Sequence, residues 1–66
     1  MIIGEKIKEL RKEKGISQLT LAKAVGVDKR AISFWEQQIN EPKATYIVNL
    51  AKYFDVTTDY LLGLEK

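Results

Sequence analysis

The tightest constraint on how this chain folds is a three-residue connection, Gly26-Val27-Asp28, between two segments with helical patterning. Glycine accepts the left-handed backbone that ends a helix. Aspartate is a favoured N-cap, because its carboxylate binds the free N–H groups at a helix start. So short a connection makes the two helices meet at a steep angle. The sequence therefore predicts an αα corner at residues 26–28, a geometry that many helical proteins share.

Helical spacing of apolar residues extends along the chain, and no stretch keeps the strict alternation of a strand. The predicted helix caps are Ser17, Asp28 and Thr57, and Pro42 is expected to start the fourth helix. The last helix is predicted over residues 58–62. No linker or repeat divides the chain, so we expect residues 1–66 to form one all-α domain of five short helices.

Each predicted helix except the short last one turns a set of apolar side chains inward. These residues are Ile3, Ile7 and Leu10 on the first helix, Leu21, Ala22 and Val25 on the second, Ile32 and Trp35 on the third, and Ala44, Ile47, Leu50, Ala51 and Phe54 on the fourth. The main core residues are expected to be Leu21, Val25, Ile32, Trp35, Leu50 and Phe54.

The composition limits the chemistry that the chain can perform. It has no cysteine and no histidine, which removes thiolate and imidazole ligands and the commonest general base. Its glycines are isolated, and no acids are paired in a defined pocket. We therefore expect no enzyme activity, metal or cofactor. No apolar run reaches the ~18 residues of a membrane span, and the N-terminal segment lacks the apolar core of a signal peptide, so a cytoplasmic location is expected.

The third helix opens with two cations, Lys29 and Arg30, at the positive end of its dipole, where cations are mildly unfavourable. Phe34 lies four residues after Arg30 on the same side, while Trp35 beside it faces inward. An anionic DNA groove explains this face: Arg and Lys suit guanine O6 and N7, and an apolar group suits the thymine methyl. The alternative is that Phe34 packs over the loop at residues 37–41.

The most specific patterns in the sequence are RKEKGISQ, LAKAVGV, the Trp-Glu pair that ends the third helix, and DYLLG. Together they closely resemble the phage repressor/Cro-type (XRE-like) family of helix-turn-helix transcriptional regulators, over nearly the whole chain. The resemblance implies a compact, lambda-repressor-like domain of five helices with a central helix-turn-helix. It also implies binding to double-stranded DNA as a homodimer, with the third helix in the major groove.

The resemblance assigns roles to individual residues. The positions that face base edges are Lys29, Arg30, Ser33 and Phe34. Those that contact phosphates are Gln18, Gln37 and Lys43. Arg11 and Glu36 match a pair that forms a salt bridge between the first and third helices. The chain departs from the family pattern at three places. In the loop after Glu36, Gln37-Gln38-Ile39 replaces the usual Asn-Gly and a base. Leu19 replaces a residue that is usually charged, and Phe34 replaces one that is often polar.

The end of the chain carries more apolar side chains than one short helix can bury internally: Tyr60, Leu61, Leu62 and Leu64. We expect some of them to meet their counterparts across a two-fold axis on a pseudo-palindromic operator. The expected function is a transcriptional repressor that acts by operator occlusion. Three alternatives stay open: an antitoxin, a restriction–modification controller, and a protein-interaction module that uses Leu19 and Phe34 without DNA. The sequence does not indicate whether a regulatory protein partner controls the chain.

Overall fold

The computed structural model describes residues 2–65, which form five α-helices. They are α1 (Ile2–Lys14), α2 (Gln18–Val25), α3 (Lys29–Glu36), α4 (Ala44–Phe54) and α5 (Thr58–Leu61). No strand occurs in this part of the chain, so the prediction of an all-α fold is confirmed. The helix α1 packs on α3 and α5, and α4 packs on α2 and α5. All five therefore surround one core.

The corner at residues 26–28 joins α2 to α3. Gly26 has φ 89° and ψ 34°, and its N–H donates to the Ala22 carbonyl at 2.9 Å. The Val27 N–H donates to the same oxygen at 3.0 Å. The Asp28 carboxylate accepts from the Ala31 N–H at 3.0 Å and so caps α3. Because a side chain at φ 89° would be strained, the glycine fixes where α2 ends and α3 can begin.

Hydroxyl groups cap the starts of α2 and α5. The side chains of Ser17 and Thr57 each accept from the N–H three residues further on, both at 3.0 Å. The start of α4 differs: Pro42 is buried, and Lys43 takes the N-cap position without a side-chain cap bond. The helix α5 ends at Leu61, one residue before the predicted end, because the next residue forms its C-cap.

The core contains buried apolar side chains from all five helices. They are Ile3, Ile7, Leu21, Ala22, Val25, Ile32, Trp35, Leu50, Ala51 and Leu61. Two predictions for α4 are corrected. Ala44 is exposed, because α4 begins at the surface directly after the exposed Lys43. Phe54 is only partly buried at the margin of the core, where its ring meets the edge of Tyr53 at a centroid distance of 5.2 Å.

The helices α1 and α3 approach each other closely at Gly4, a residue that the sequence analysis does not single out. A Cβ atom on Gly4 would lie 2.1 Å from the carbonyl oxygen of Trp35. Any larger residue would therefore push α1 away from the end of α3. The sequence contains a signal for this close contact. A glycine inside a helical pattern costs about 1 kcal/mol of stability relative to alanine, so it usually has a packing reason.

The α3–α4 loop turns at Gln38, which has φ 62°. This is the position where the resembling family usually has glycine, and a non-glycine residue there costs about 1 kcal/mol. The Gln38 N–H donates to the Trp35 carbonyl at 3.1 Å, and the Ile39 N–H donates to the Phe34 carbonyl at 2.9 Å. These bonds back to α3 hold the turn although no glycine is present.

Candidate nucleic-acid interface

The corner brings the start of α2 and the outer side of α3 to one open concavity of about 560 Å³. Gln18, Asp28, Lys29, Arg30 and Ser33 line it. Lys29 and Arg30 are exposed, and Ser33 is half-buried. The only acid in this set, Asp28, uses its carboxylate to cap α3. The surface therefore combines two free-standing cations with amide and hydroxyl groups, which suits a polyanion.

A partly buried side-chain network meets this concavity at Gln18. Arg11 Nε donates to Glu36 Oε2 at 2.7 Å, and Arg11 Nη2 donates to Glu36 Oε1 at 3.0 Å. Their side chains are 13% and 4% exposed. Gln18 Nε2 also donates to Glu36 Oε1, at 3.2 Å. The network thus ties α1, α2 and α3 together, and the bond from Gln18 is one that the sequence analysis missed.

The hydrogen bond to Glu36, assisted by its negative charge, raises the pKa of the Arg11 guanidinium, although partial burial acts in the opposite direction. Because the folded-state pKa of Arg11 lies above its unfolded-state value, the charged guanidinium stabilises the folded protein. This stabilisation is complete at any pH below the unfolded-state pKa. That stability is lost only as the pH rises through the folded-state pKa, in strongly alkaline solution. The Arg11 guanidinium is therefore charged throughout the neutral range.

Phe34 occupies an intermediate position on α3. Its side chain is half-buried and lines a shallow groove of about 250 Å³ together with Arg30, Trp35 and Asn40, among others. The ring is therefore neither sealed in the core nor fully free. It lies beside Arg30 on the same face of α3, so both can meet one ligand.

The predicted phosphate contacts come from three places: the start of α2, the end of α3 and the start of α4. Gln18 is at the start of α2, where the first N–H groups of a helix attract anions. The Gln37 amide donates to the Ser33 hydroxyl at 2.7 Å, which joins one predicted phosphate contact to a predicted base reader. Lys43 is exposed at the N-cap of α4. Leu19, beside Gln18, is 48% exposed.

The apolar residues predicted at a dimer contact divide between surface and core. Leu61 is 0% exposed, because α5 turns it into the core, so this residue is removed from the candidate contacts. Tyr60 and Leu62 are half-buried, and the ammonium of Lys6 lies 4.5 Å from the Tyr60 ring centroid. Leu64 is 71% exposed.

Within residues 2–65, no three or more Asp, Glu, His or Cys side chains are grouped so that they could hold a metal ion. None of the helices described has both the length and the apolar character needed to cross a membrane.

Two helices joined through a tight glycine corner, the second with an open polar face, define a helix-turn-helix domain. The family model described as Helix-turn-helix matches residues 7–61, and the chain belongs to this family. The chain is 41% identical over 61 residues to Repressor protein C2 of Salmonella phage P22. That match covers 92% of this chain but only 28% of the phage protein. The chain spans 52% of another relative, the HTH-type transcriptional regulator ImmR of Bacillus subtilis.

Solved structures have the same fold. The P22 c2 repressor in complex with a synthetic operator superposes with a TM-score of 0.91 at 38% identity, covering 98% of both chains. The restriction–modification controller protein C.AhdI of Aeromonas hydrophila superposes with a TM-score of 0.82 at 32% identity, covering 89% of both chains. The prediction of the family is therefore confirmed.

Proposed function

We propose that this chain is a sequence-specific, double-stranded DNA-binding domain of a transcriptional repressor, which occludes a promoter when it binds its operator. The observation that carries the proposal is the concavity lined by Gln18, Lys29, Arg30 and Ser33 at the α2–α3 corner. A related repressor of the same fold has been solved on operator DNA. Because the partner is DNA, we place the protein in the cytoplasm.

In this proposal, α3 lies in the major groove and reads base edges. Lys29 and Arg30 donate to guanine O6 and N7, and Phe34 contacts a thymine methyl. Ser33 contributes a hydroxyl at the centre of the same face. The expected half-site therefore contains at least one guanine and a nearby thymine.

Phosphate contacts on both sides of α3 fix its register in the groove. Gln18 binds one phosphate together with the free N–H groups at the start of α2. Gln37 and Lys43 bind phosphates near the α3–α4 loop. Such contacts add affinity but carry no sequence information.

The proposed DNA-bound form is a homodimer with two-fold symmetry. One chain presents one α3, and two half-sites about one helical turn apart, ~34–36 Å, match such a dimer. The exposed Leu64, with the half-buried Tyr60 and Leu62, is the proposed contact between the two chains. A patch of this size gives weak association in the absence of DNA.

Selection of duplexes from a random library, followed by affinity measurements over a range of salt concentrations, tests the proposal. We expect a pseudo-palindromic consensus and a log–log salt slope of about −0.9 for each phosphate neutralised. A protein-interaction module would bind no duplex and would show no such slope. Equal affinity for all duplex sequences would contradict the proposal that the domain recognises a specific DNA sequence.

The similarity to C.AhdI favours a second candidate, a controller of a restriction–modification operon. An antitoxin that represses its own operon uses the same DNA chemistry. The neighbouring genes distinguish these roles: an adjacent methyltransferase or toxin identifies the controller or the antitoxin, and a divergent phage promoter identifies the repressor.

A further inference from the structure

The carboxylate of Glu36 accepts from Gln18, which lines the proposed DNA surface, and it is held in a fixed orientation. Its side chain is 4% exposed, and the forked guanidinium of Arg11 donates to both of its oxygens, at 2.7 and 3.0 Å. A bidentate contact of this kind leaves the carboxylate little rotational freedom. Arg11 Nη1 also donates to the Ile16 carbonyl at 2.9 Å, just before α2 begins. The start of α2 is therefore fixed relative to the Glu36 carboxylate.

The orientation of the Gln18 amide follows from its bond to Glu36. A carboxylate accepts hydrogen bonds and does not donate them, so the NH₂ group of Gln18, rather than its C=O, must face Glu36 at 3.2 Å. The same nitrogen carries a second N–H. Gln18 lines the open concavity with Lys29, Arg30 and Ser33, so the side chain that carries this second donor reaches the surface where a phosphate is expected.

We propose that Glu36 is a positioning residue for DNA binding, which holds the Gln18 amide with its donor side available to a phosphate oxygen. This inference rests on the proposed function. Without Glu36, the amide can rotate and present its C=O, which repels a phosphate. Glu36 itself does not touch DNA, because its side chain is only 4% exposed.

A double-mutant cycle on DNA affinity tests the coupling between these two residues. Gln18→Met keeps the side-chain length but removes both donors. In the otherwise unchanged protein, this substitution lowers the affinity for the selected duplex by about two- to tenfold. That is the effect expected from the loss of one hydrogen bond. In a Glu36→Met background, the same substitution leaves affinity nearly unchanged, since the amide is no longer oriented. An equal loss in both backgrounds overturns the proposal, because a purely structural role for Glu36 would not alter the effect of Gln18→Met.

Two controls keep the cycle interpretable. Glu36→Met leaves Arg11 unpaired and lowers stability, so the cycle is repeated in Arg11→Met/Glu36→Met, where apolar replacement of the whole ion pair is tolerated. Lys43→Met removes a proposed phosphate contact that does not involve Glu36. Its loss of affinity should be the same in every background. If the loss caused by Lys43→Met also disappears, the backgrounds bind DNA differently and the proposal for Glu36 fails.

Side-chain NMR of the DNA-free protein provides a readout that does not depend on DNA. The Gln18 amide should have a high order parameter, which falls in Glu36→Met. A Gln18 amide that is equally mobile with and without Glu36 overturns the inference while the proposed function stands. If the unchanged protein binds no duplex at low salt, the proposed function fails and the inference fails with it.

Discussion

Two adjacent aromatic residues of α3 have different environments because neighbouring residues on a helix point about 100° apart. Trp35 is 5% exposed, and its ring centroid lies 5.8 Å from that of Tyr46. Phe34 is half-buried in a groove beside Arg30. Trp35 therefore belongs to the fold, while Phe34 can meet a ligand. Two substitutions separate these roles.

Trp35→Ala should leave the protein largely unfolded. Removing a buried tryptophan costs ~3–5 kcal/mol, against a total stability of ~3–10 kcal/mol for a domain of this length. Thermal melting followed by circular dichroism measures the effect, with Phe34→Ala as the matched control. A melting temperature equal to that of the unchanged protein would show that Trp35 does not support the core.

Phe34→Ala should lower stability much less than Trp35→Ala and should remove the preference for thymine over uracil at one operator position. The physical reason is that the thymine methyl is the natural apolar partner in the major groove. Affinities for matched thymine and uracil duplexes provide the measurement. Lys43→Ala is the control, because loss of a phosphate contact weakens all sequences alike and reduces the salt slope by about 1. If base preference persists while the melting temperature falls sharply, Phe34 supports the loop instead.

At the scale of elements, α3 is held from two sides. Its end lies against Gly4 of α1, and its last residue, Glu36, binds Arg11 of α1 and Gln18 of α2. The orientation of the proposed recognition helix therefore depends on α1, which contributes no proposed base contact. Changes in α1 should consequently affect DNA binding through the position of α3.

Gly4→Ala tests this dependence on α1. The added Cβ would lie 2.1 Å from the Trp35 carbonyl oxygen, so α1 must move or the end of α3 must shift. We expect a loss of stability of about 1–3 kcal/mol, typical of overpacking, together with weaker DNA binding. Chemical denaturation and duplex affinity measure both effects. Lys8→Ala, at an exposed position of the same helix, is the control and should change stability by less than about 0.5 kcal/mol.

For the whole molecule, the proposed mode of action requires two chains on one operator. The exposed Leu64 at the end of the chain is the most accessible of the proposed contact residues. Because Leu61 is buried, the contact is smaller than the sequence predicts, and DNA must contribute to assembly. Cooperativity on DNA is therefore more informative than dimerisation in free solution.

Leu64→Gln should reduce cooperative binding to a duplex with two half-sites without changing affinity for a single half-site. The substitution changes no charge, so repulsion from DNA does not contribute. A gel-shift titration of one-site and two-site duplexes measures cooperativity, and a thermal melt verifies that the fold is intact. Unchanged cooperativity would place the dimer contact elsewhere on the surface.

Much of this architecture depends on interactions within a few residues, so it can be predicted from the order of amino acids. The caps at Ser17, Asp28 and Thr57 and the turn at Gly26 require only local backbone geometry. The inward faces follow from helical spacing, which also places Lys29 and Arg30 together at the start of α3. Sequence reasoning could therefore predict the helices, the corner and the family without knowing how the helices pack.

The features that depend on which helices meet could not be predicted from the sequence. Gly4 contacts the carbonyl of Trp35, and Gln18 donates to a carboxylate that lies 18 residues away in the sequence. The burial of Leu61 beside the exposure of Leu64 has the same origin, since periodicity in a four-residue helix is too short to assign a buried face. Long-range packing sets these contacts, because the position of each helix depends on all the surfaces against which it packs.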